Sequence, residues 1–208
     1  MAFFYMQVIK CNFSGIYGQE DFLDGTVLDF TSLEETECYC SPRAADVIRS
    51  ALAPYGPGGI HWLDSGDYHY VSLFIQEMIA EPYSLVLFDN HPDDEAPAFG
   101  ADLLSCGGWV ADVRRLPNWR KSADAVYISI DKDVLSRDFA RTNWDQGEMT
   151  LDALFASIER IALCHRIIGI DVCGELSLSK GACSEDVSIN SKTNGRIQEF
   201  LLNLPGFE

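Results

Sequence analysis

Two clusters of acidic residues and histidine follow predicted β-strands and have the composition of a divalent metal site. The first contains Asp89, His91 and Asp93 at alternate positions, and alternate residues of an extended chain project to the same side. The second contains Asp131 and Asp133 with the same spacing. Four carboxylates in one space repel one another strongly unless cations neutralise them. The pattern therefore predicts that these residues hold two divalent ions.

The mixture of ligand types narrows the identity of the ions and their chemistry. Carboxylate together with imidazole is typical of Mn²⁺, Fe²⁺ or Zn²⁺ sites rather than Ca²⁺ sites. Two such ions about 3.5 Å apart lower the pKa of a shared water and so generate a nucleophile at neutral pH. The alternative is a polar loop with helix-capping aspartates, and the independent match of the two clusters favours the metal site.

A third polar cluster occupies a predicted strand-to-helix turn, where Ser65-Gly66-Asp67-Tyr68 precedes His69. His69 is a candidate metal ligand, with a packed or hydrogen-bonded histidine as the alternative. Asp67 is either the N-cap of the following helix or a residue that orients a ligand.

Short apolar runs alternate with segments of helical periodicity, which predicts an α/β domain with a mainly parallel sheet. The strands are expected at 6–11, 60–63, 83–88, 125–130 and 166–172, and the helices at 42–52, 67–80, from about 108, 150–164 and 195–204. All three polar clusters then lie just beyond the carboxyl ends of strands, the edge at which open α/β sheets bind ligands. We expect residues 1–208 to form a single domain.

Composition limits the class of protein and of partner. The chain has 208 residues and a formal net charge of −17, a balance that repels nucleic acid and anionic membranes. Its seven cysteines include no C-x-x-C pair, so free thiols in a reducing compartment are expected rather than a disulfide framework. With no apolar run of about 18 residues and no leader-like N-terminus, the expectation is a cytoplasmic protein.

The three clusters resemble, in order, motifs of the arginase/agmatinase (ureohydrolase) family. Asp89-x-His91-x-Asp93 resembles the D-A-H-x-D motif of that family, and the segment 129–133, Ser-Ile-Asp-Lys-Asp, resembles its S-x-D-x-D motif. The segment ending in His69 resembles its earlier G-G-D-H motif. The resemblance covers roughly residues 60–175 and implies a three-layer α/β/α sandwich of the arginase/deacetylase type.

The resemblance also implies a ligand set and an activity. Asp89 and Asp131 would bridge two ions, Mn²⁺ by expectation and Zn²⁺ or Fe²⁺ as alternatives. One ion would be completed by His69 and Asp93, and the other by His91 and Asp133. The implied activity is hydrolysis of a carbon–nitrogen bond in a small guanidino or linear amide compound, and a homo-oligomer is a further expectation.

Several departures from the family pattern mark further candidate residues. Cys106 stands where the family has the histidine of an L-H-G segment, so it is either a proton-transfer residue or a buried apolar one. Glu175 lies four residues after Asp171 instead of three and is the candidate to orient a cationic substrate group. The segment 142–147 replaces a P-G-T-G loop. The candidate substrate-binding residues within it are Asn143, Trp144 and Asp145, with a lid or packing role as the alternative.

Two other functions remain open at this point. A deacetylase-like enzyme of the same fold would use a single zinc ion, but the presence of both Asp93 and Asp133 favours two ions. A non-catalytic metal- or ligand-binding descendant would retain the ligands without turnover, and the altered histidine and glutamate positions favour it.

Overall fold

A parallel β-sheet forms the centre of the computed structural model, which describes residues 6–20, 25–96 and 103–207. The strands within these ranges are β1 (Val8–Asn12), β2 (Thr26–Asp29), β3 (Tyr39–Cys40), β4 (Gly59–Trp62), β5 (Ser84–Phe88), β6 (Leu104–Ser105), β7 (Ala125–Asp131) and β8 (Arg166–Cys173). Six of them form one sheet in the order β2-β1-β4-β8-β7-β5, and every neighbouring pair is parallel. The short strands β3 and β6 form a separate antiparallel ribbon.

Helices cover both faces of the sheet. They are α1 (Pro42–Leu52), α2 (Val71–Gln76), α3 (Trp109–Val113), α4 (Leu151–Cys164) and α5 (Ser184–Leu202). One apolar core joins α1, α2 and α3 to the sheet face that carries Tyr127. A second core joins α4 and α5 to the face that carries Ile128. Because adjacent residues of β7 enter opposite cores, the sheet is buried on both sides, and the predicted three-layer α/β/α sandwich is confirmed.

Local sequence explains where the helices that flank the site begin. Ser41 caps α1 by accepting a hydrogen bond from the backbone N–H of Ala44, and Thr150 caps α4 in the same way. The segment expected to start a helix at residue 67 instead forms a 3-10 turn, Gly66–Tyr68, before α2 begins. That turn places His69 at the edge of the sheet rather than along the side of a helix.

The structure adds elements that the apolar pattern does not predict. α5 begins at Ser184, eleven residues before the predicted start, because its buried face contains the polar residues Asn190, Thr193 and Asn194 rather than an apolar stripe. β2 is an exposed edge strand in a polar segment. None of the helices in the described ranges is both long and apolar enough to cross a membrane.

Candidate metal centre

The candidate ligands converge at the carboxyl edge of the sheet. Asp89 directly follows β5, Asp131 is the last residue of β7, and Cys173 is the last residue of β8. Since these strands are parallel neighbours, their carboxyl ends meet at one edge. The turn after β4 delivers His69 to the same place.

One set of ligand atoms surrounds His69 and is called here the His69 group: His69, Asp89 and Asp93. The Nδ1 atom of His69 lies 3.0 Å from Asp93 Oδ2 and 3.3 Å from Asp89 Oδ2. The indole N–H of Trp109 donates to Asp93 Oδ2 at 2.7 Å and so holds that carboxylate in place. Asp93 adopts a φ of 47°, a left-handed conformation that is uncommon outside glycine, so local contacts must hold its backbone there.

A second set, the His91 group, contains Asp89, His91 and Asp133. Nδ1 of His91 lies 2.7 Å from Asp133 Oδ2 and 3.7 Å from Asp89 Oδ1. Backbone N–H groups fix both carboxylates: that of His91 donates to Asp89 Oδ1 at 2.7 Å, and that of Asn90 donates to Asp133 Oδ1 at 2.9 Å. Asp89 therefore belongs to both groups, with one carboxylate oxygen turned towards each histidine.

Asp131 completes the arrangement from the central strand. Its Oδ2 atom lies 3.7 Å from His69 Nδ1, and its Oδ1 atom accepts the backbone N–H of Asp133 at 2.8 Å. Two glycines make room for this carboxylate. A Cβ at Gly174, whose φ is +95°, would lie 2.4 Å from Asp131 Oδ1, and one at Gly66 would lie 2.8 Å from Asp131 Oδ2. Larger residues at either position would displace the carboxylate.

Hydrogen bonds behind His69 determine which of its ring nitrogens faces the aspartates. Ser129 Oγ donates to the buried carboxylate of Asp171 at 2.6 Å, which commits the hydroxyl proton. The same hydroxyl oxygen lies 2.8 Å from His69 Nε2, so it accepts the Nε2 proton. In neutral His69 the lone pair is then on Nδ1, the orientation that metal-binding histidines adopt when a polar partner holds the other nitrogen.

Burial and neighbouring charges shift the pKa values of the ionisable residues at the centre. Burial raises the pKa of Asp131 to about 6, with a further contribution from Asp133. Burial likewise raises the pKa of Asp133 to about 6, and Asp89 adds to that shift. Burial alone would lower the pKa of His69, but Cys173 and the adjacent carboxylates raise it well above the usual value for histidine. Excess negative charge at this edge thus favours any bound cation.

The donor atoms fit a pair of divalent ions. His69 Nδ1 and Asp89 Oδ2 are buried and make no hydrogen bond with any residue in the described ranges, although they lie 3.3 Å apart. In the tautomer of His69 that Ser129 selects, both atoms are acceptors that face each other, and a cation between them would satisfy both. The two histidines and the shared Asp89 give two adjacent positions with nitrogen and oxygen donors, which suits borderline divalent metals.

A cavity of about 300 Å³ opens over the centre. It exposes members of both groups, and its remaining walls include Cys38, Tyr39, Cys106 and Trp144. Cys106 is thus placed beside the centre, and burial raises the pKa of its thiol. The expected role of Cys106 in proton transfer stays a prediction.

Asp67 anchors the loop that carries Trp144. Its carboxylate accepts hydrogen bonds from Asn143 Nδ2 at 2.8 Å and from Trp144 Nε1 at 3.2 Å. Asp145 contributes its backbone carbonyl, which accepts from Asn90 Nδ2 at 3.0 Å. Of the three candidate substrate-binding residues, Trp144 lines the cavity, and Asn143 and Asp145 tie the loop to its edge. Asp67 acts as a loop anchor rather than as a helix cap.

Glu175 lies outside the described lining of the cavity. Its side chain is fully buried and forms an ion pair with Lys132. Asn190 Nδ2 donates to it at 3.0 Å and Asn194 Nδ2 at 2.7 Å, both from α5. The structure thus gives this carboxylate intramolecular partners, and its expected role in orienting a cationic substrate is not supported by its position. Lys132 is itself fully buried and neutralises Glu175.

Cys173 lies at the centre although no sequence motif includes it. Its Sγ atom donates to Asp131 Oδ2 at 3.1 Å, and its position opposite Asp131 in the parallel register of β7 and β8 brings the two side chains together. The alternation of β8 offers a signal for it, since Cys173 lies two residues beyond Asp171 and therefore on the same face of the strand.

Comparison with known proteins identifies the architecture. No family model matches the chain. The sequence is 28% identical over 232 residues to an uncharacterized protein of Thermotoga maritima, with 95% of this chain and 92% of that protein covered. The structure is similar to that of the agmatine ureohydrolase of Thermoplasma volcanium, with a TM-score of 0.61 at 13% identity over 95% of this chain and 88% of that chain. The chain has the arginase fold.

Two further structures with the arginase fold extend the comparison. The formimidoylglutamase of Bacillus subtilis gives a TM-score of 0.60 at 13% identity, covering 93% of this chain and 85% of that chain. A triple mutant of a T. brucei arginase-like protein with bound Mn²⁺ gives a TM-score of 0.59 at 16% identity, covering 98% of this chain and 91% of that chain. The similarity therefore extends over nearly all of this chain and over 85% and 91% of these two structures.

Proposed function

We propose that this protein is a hydrolase that uses two divalent metal ions to cleave a carbon–nitrogen bond in a small guanidino or linear amide compound. The observation that carries the proposal is the position of Asp89. One oxygen of its carboxylate lies 3.3 Å from His69 Nδ1 and the other lies 3.7 Å from His91 Nδ1. A carboxylate shared in this way suits a bridge between two ions.

The residues of the chain have distinct tasks in this proposal. His69 and Asp93 would hold one ion and His91 and Asp133 the other, with Asp89 and Asp131 shared between them. When bound, the two ions activate a water molecule and stabilise developing negative charge on the substrate. Backbone N–H groups and the Trp109 indole keep the carboxylates oriented, so the ligands are preorganised.

The cavity suggests how a substrate is held. Its volume of about 300 Å³ suits a small molecule. Trp144 forms part of its wall and meets the ring of His91 edge-on at 6.0 Å, so the indole lies beside a candidate metal ligand. Cys106 keeps its proton near neutral pH because burial raises its pKa. We propose that this thiol relays a proton, taking one from the attacking water as it gives its own to the departing nitrogen.

The comparisons support manganese as the ion to test first. The T. brucei arginase-like protein with bound Mn²⁺ carries introduced residues, two aspartates and one histidine. One introduced aspartate and the histidine lie two positions apart in that protein, the same spacing as Asp89 and His91 here.

The test is turnover by protein loaded with Mn²⁺, using a panel of guanidino compounds assayed for urea and of linear amides or formimino compounds assayed for ammonia. The proposal expects at least one substrate to be hydrolysed, with loss of activity in Asp89→Asn. Asp94→Asn is the matched control, because Asp94 is an exposed neighbour of the centre that pairs with Arg114. Equal activity of the two variants would contradict the proposal.

A non-catalytic ligand-binding protein is the second candidate, and the burial of Glu175 against Lys132 favours it. Glu175, the candidate for the family glutamate that pairs with a guanidinium, is not among the residues that line the cavity, whose glutamate is Glu95. This candidate expects full metal occupancy and measurable binding of a panel compound by calorimetry, with that compound recovered unchanged.

A further inference from the structure

Cys173 brings a sulfur atom to the edge of the His69 group. Its side chain is 1% exposed, and its Sγ atom lies 3.1 Å from Asp131 Oδ2. The ligand atoms of Cys173, Asp131 and His69 all lie within 4.8 Å of one another. One ion can therefore be reached by all three donors at once.

The backbone leaves Cys173 in this position for a structural reason. Asp131 and Cys173 are partners in the parallel register of β7 and β8, so their side chains leave the sheet side by side. Gly174 follows with a φ of +95°, which turns the chain away directly after the cysteine. The thiol thus ends the strand at the carboxyl edge, where it lies beside the ligands and also borders the first apolar core.

We infer that Cys173 supplies a thiolate ligand to the ion held by His69, so that the two ions of the centre have different donor sets. This inference rests on the proposed function, because it requires the binuclear centre. It goes beyond that function because the ligands expected from the motifs contain only nitrogen and oxygen donors.

Binding as a thiolate exchanges the thiol proton of Cys173 for the metal ion. The Sγ–H bond is lost, a sulfur–metal bond forms, and the thiol proton leaves to solvent. The hydrogen bond from Cys173 to Asp131 Oδ2 is then lost, and both side chains bind the ion instead.

The consequence is a difference in metal preference between the two positions. Thiolate favours softer ions such as Zn²⁺, while carboxylate and imidazole alone suit Mn²⁺. The His91 group has one imidazole and two carboxylates within reach, with no cysteine among its members. We therefore expect the position at His69 to prefer Zn²⁺, Fe²⁺ or Co²⁺, and the position at His91 to prefer Mn²⁺.

The experiment loads the full chain with two equivalents of Co²⁺ and records its absorption spectrum. A thiolate bound to Co²⁺ gives an intense near-ultraviolet charge-transfer band, whereas oxygen and nitrogen donors give only weak visible bands. The wild-type protein is expected to show the charge-transfer band, and Cys173→Ser is expected to lose it while retaining visible Co²⁺ bands. Cys106→Ser is the matched control, because Cys106 lines the same cavity but is not among the three donors.

The possible failures are distinguishable. Retained Co²⁺ with visible bands but no charge-transfer band in the wild type would overturn the thiolate assignment and leave the proposed function standing. A band that persists in Cys173→Ser and disappears in Cys106→Ser would also overturn it. Failure of the wild type to retain Co²⁺ would overturn both the inference and the proposed function.

A second readout keeps the test independent of the spectrum of one variant. Competition between Zn²⁺ and Mn²⁺ is measured for the wild type and for Cys173→Ser after circular dichroism has established that the variant is folded. Loss of the sulfur donor is expected to weaken Zn²⁺ binding by at least the roughly ten- to hundredfold seen when a residue that only orients a metal ligand is removed, with a smaller effect on Mn²⁺. An unchanged ratio of the two affinities would contradict the inference.

Discussion

Ser129 Oγ lies 2.8 Å from His69 Nε2 and donates its own hydrogen bond to Asp171, so it accepts a hydrogen bond from the Nε2–H group and leaves Nδ1 facing the aspartates. The hydroxyl thereby selects the tautomer that a metal ligand needs. Ser72 supports the same arrangement by donating to the other oxygen of Asp171 at 2.5 Å.

Ser129→Ala is expected to weaken binding of the ion at His69 by about ten- to a hundredfold, because the ring loses the partner that orients it. Isothermal titration calorimetry with Mn²⁺ measures the change in affinity. Ser84→Ala is the control, since Ser84 is also a buried strand serine but its hydroxyl has no hydrogen-bond partner in the described residues. Equal affinities in the two variants would contradict the role of Ser129.

Asp67→Asn is expected to loosen the Trp144 loop without removing metal. The substitution removes one of the two carboxylate oxygens that Asn143 and Trp144 use as acceptors. Hydrogen exchange of residues 142–147 should therefore accelerate, while the metal content stays at the wild-type value. Unchanged exchange, or loss of an ion, would show that Asp67 has a different role.

Lys132→Met is expected to destabilise the protein by roughly 3–5 kcal/mol, because it leaves the buried charge of Glu175 without its counter-ion. Adding Glu175→Gln should recover most of the loss, since the amide groups of Asn190 and Asn194 can still donate to a neutral side chain. Denaturant unfolding of the single and double variants forms a double-mutant cycle. A double variant less stable than Lys132→Met would contradict the ion-pair account.

The pH dependence of stability offers a test away from the centre, at His61 on β4. Burial lowers the pKa of His61 from 6.5 to about 4, so between these values the unfolded chain binds a proton that the folded chain does not. Stability from this residue is therefore lost as pH falls from about 6.5 towards 4. At about 1.4 kcal/mol per pKa unit, the loss is roughly 3 kcal/mol.

His61→Gln should remove this component, so the difference in unfolding free energy between wild type and variant should shrink as pH falls from 7 to 4.5. Measuring both proteins in excess chelator prevents metal release from adding to the difference. A difference that is constant with pH would show that His61 is not the group responsible.

The sequence predicts the sheet and the metal-facing aspartates for the same physical reason. β5 and β7 are short apolar strands, and the residues that follow them alternate with a period of two, which is visible in a few consecutive residues. Asp89, Asp131 and Asp133 could therefore be placed at one edge without knowledge of the distant contacts. The three-layer architecture follows from the same alternation of strand and helix.

The parts that the sequence does not predict depend on contacts between distant residues. Lys132 pairs with Glu175 across 43 positions, and the buried face of α5 is polar because it serves that pair. The apolar pattern of the sequence therefore predicts a start of α5 that is too late. The alternation of β8 places Cys173 on the same face as Asp171, but its position beside Asp131 depends on the pairing of β7 with β8.

Metal stoichiometry tests the central claim most directly. Protein purified without chelator and reconstituted with Mn²⁺ is analysed for metal content, alongside Asp131→Asn and the exposed control Asp94→Asn. The account predicts about two ions per chain in the wild type and in the control, with loss of metal in Asp131→Asn because that carboxylate faces His69 Nδ1 at 3.7 Å. A single tightly bound zinc ion would contradict the binuclear centre. So would the absence of retained metal both after purification without chelator and after reconstitution with Mn²⁺.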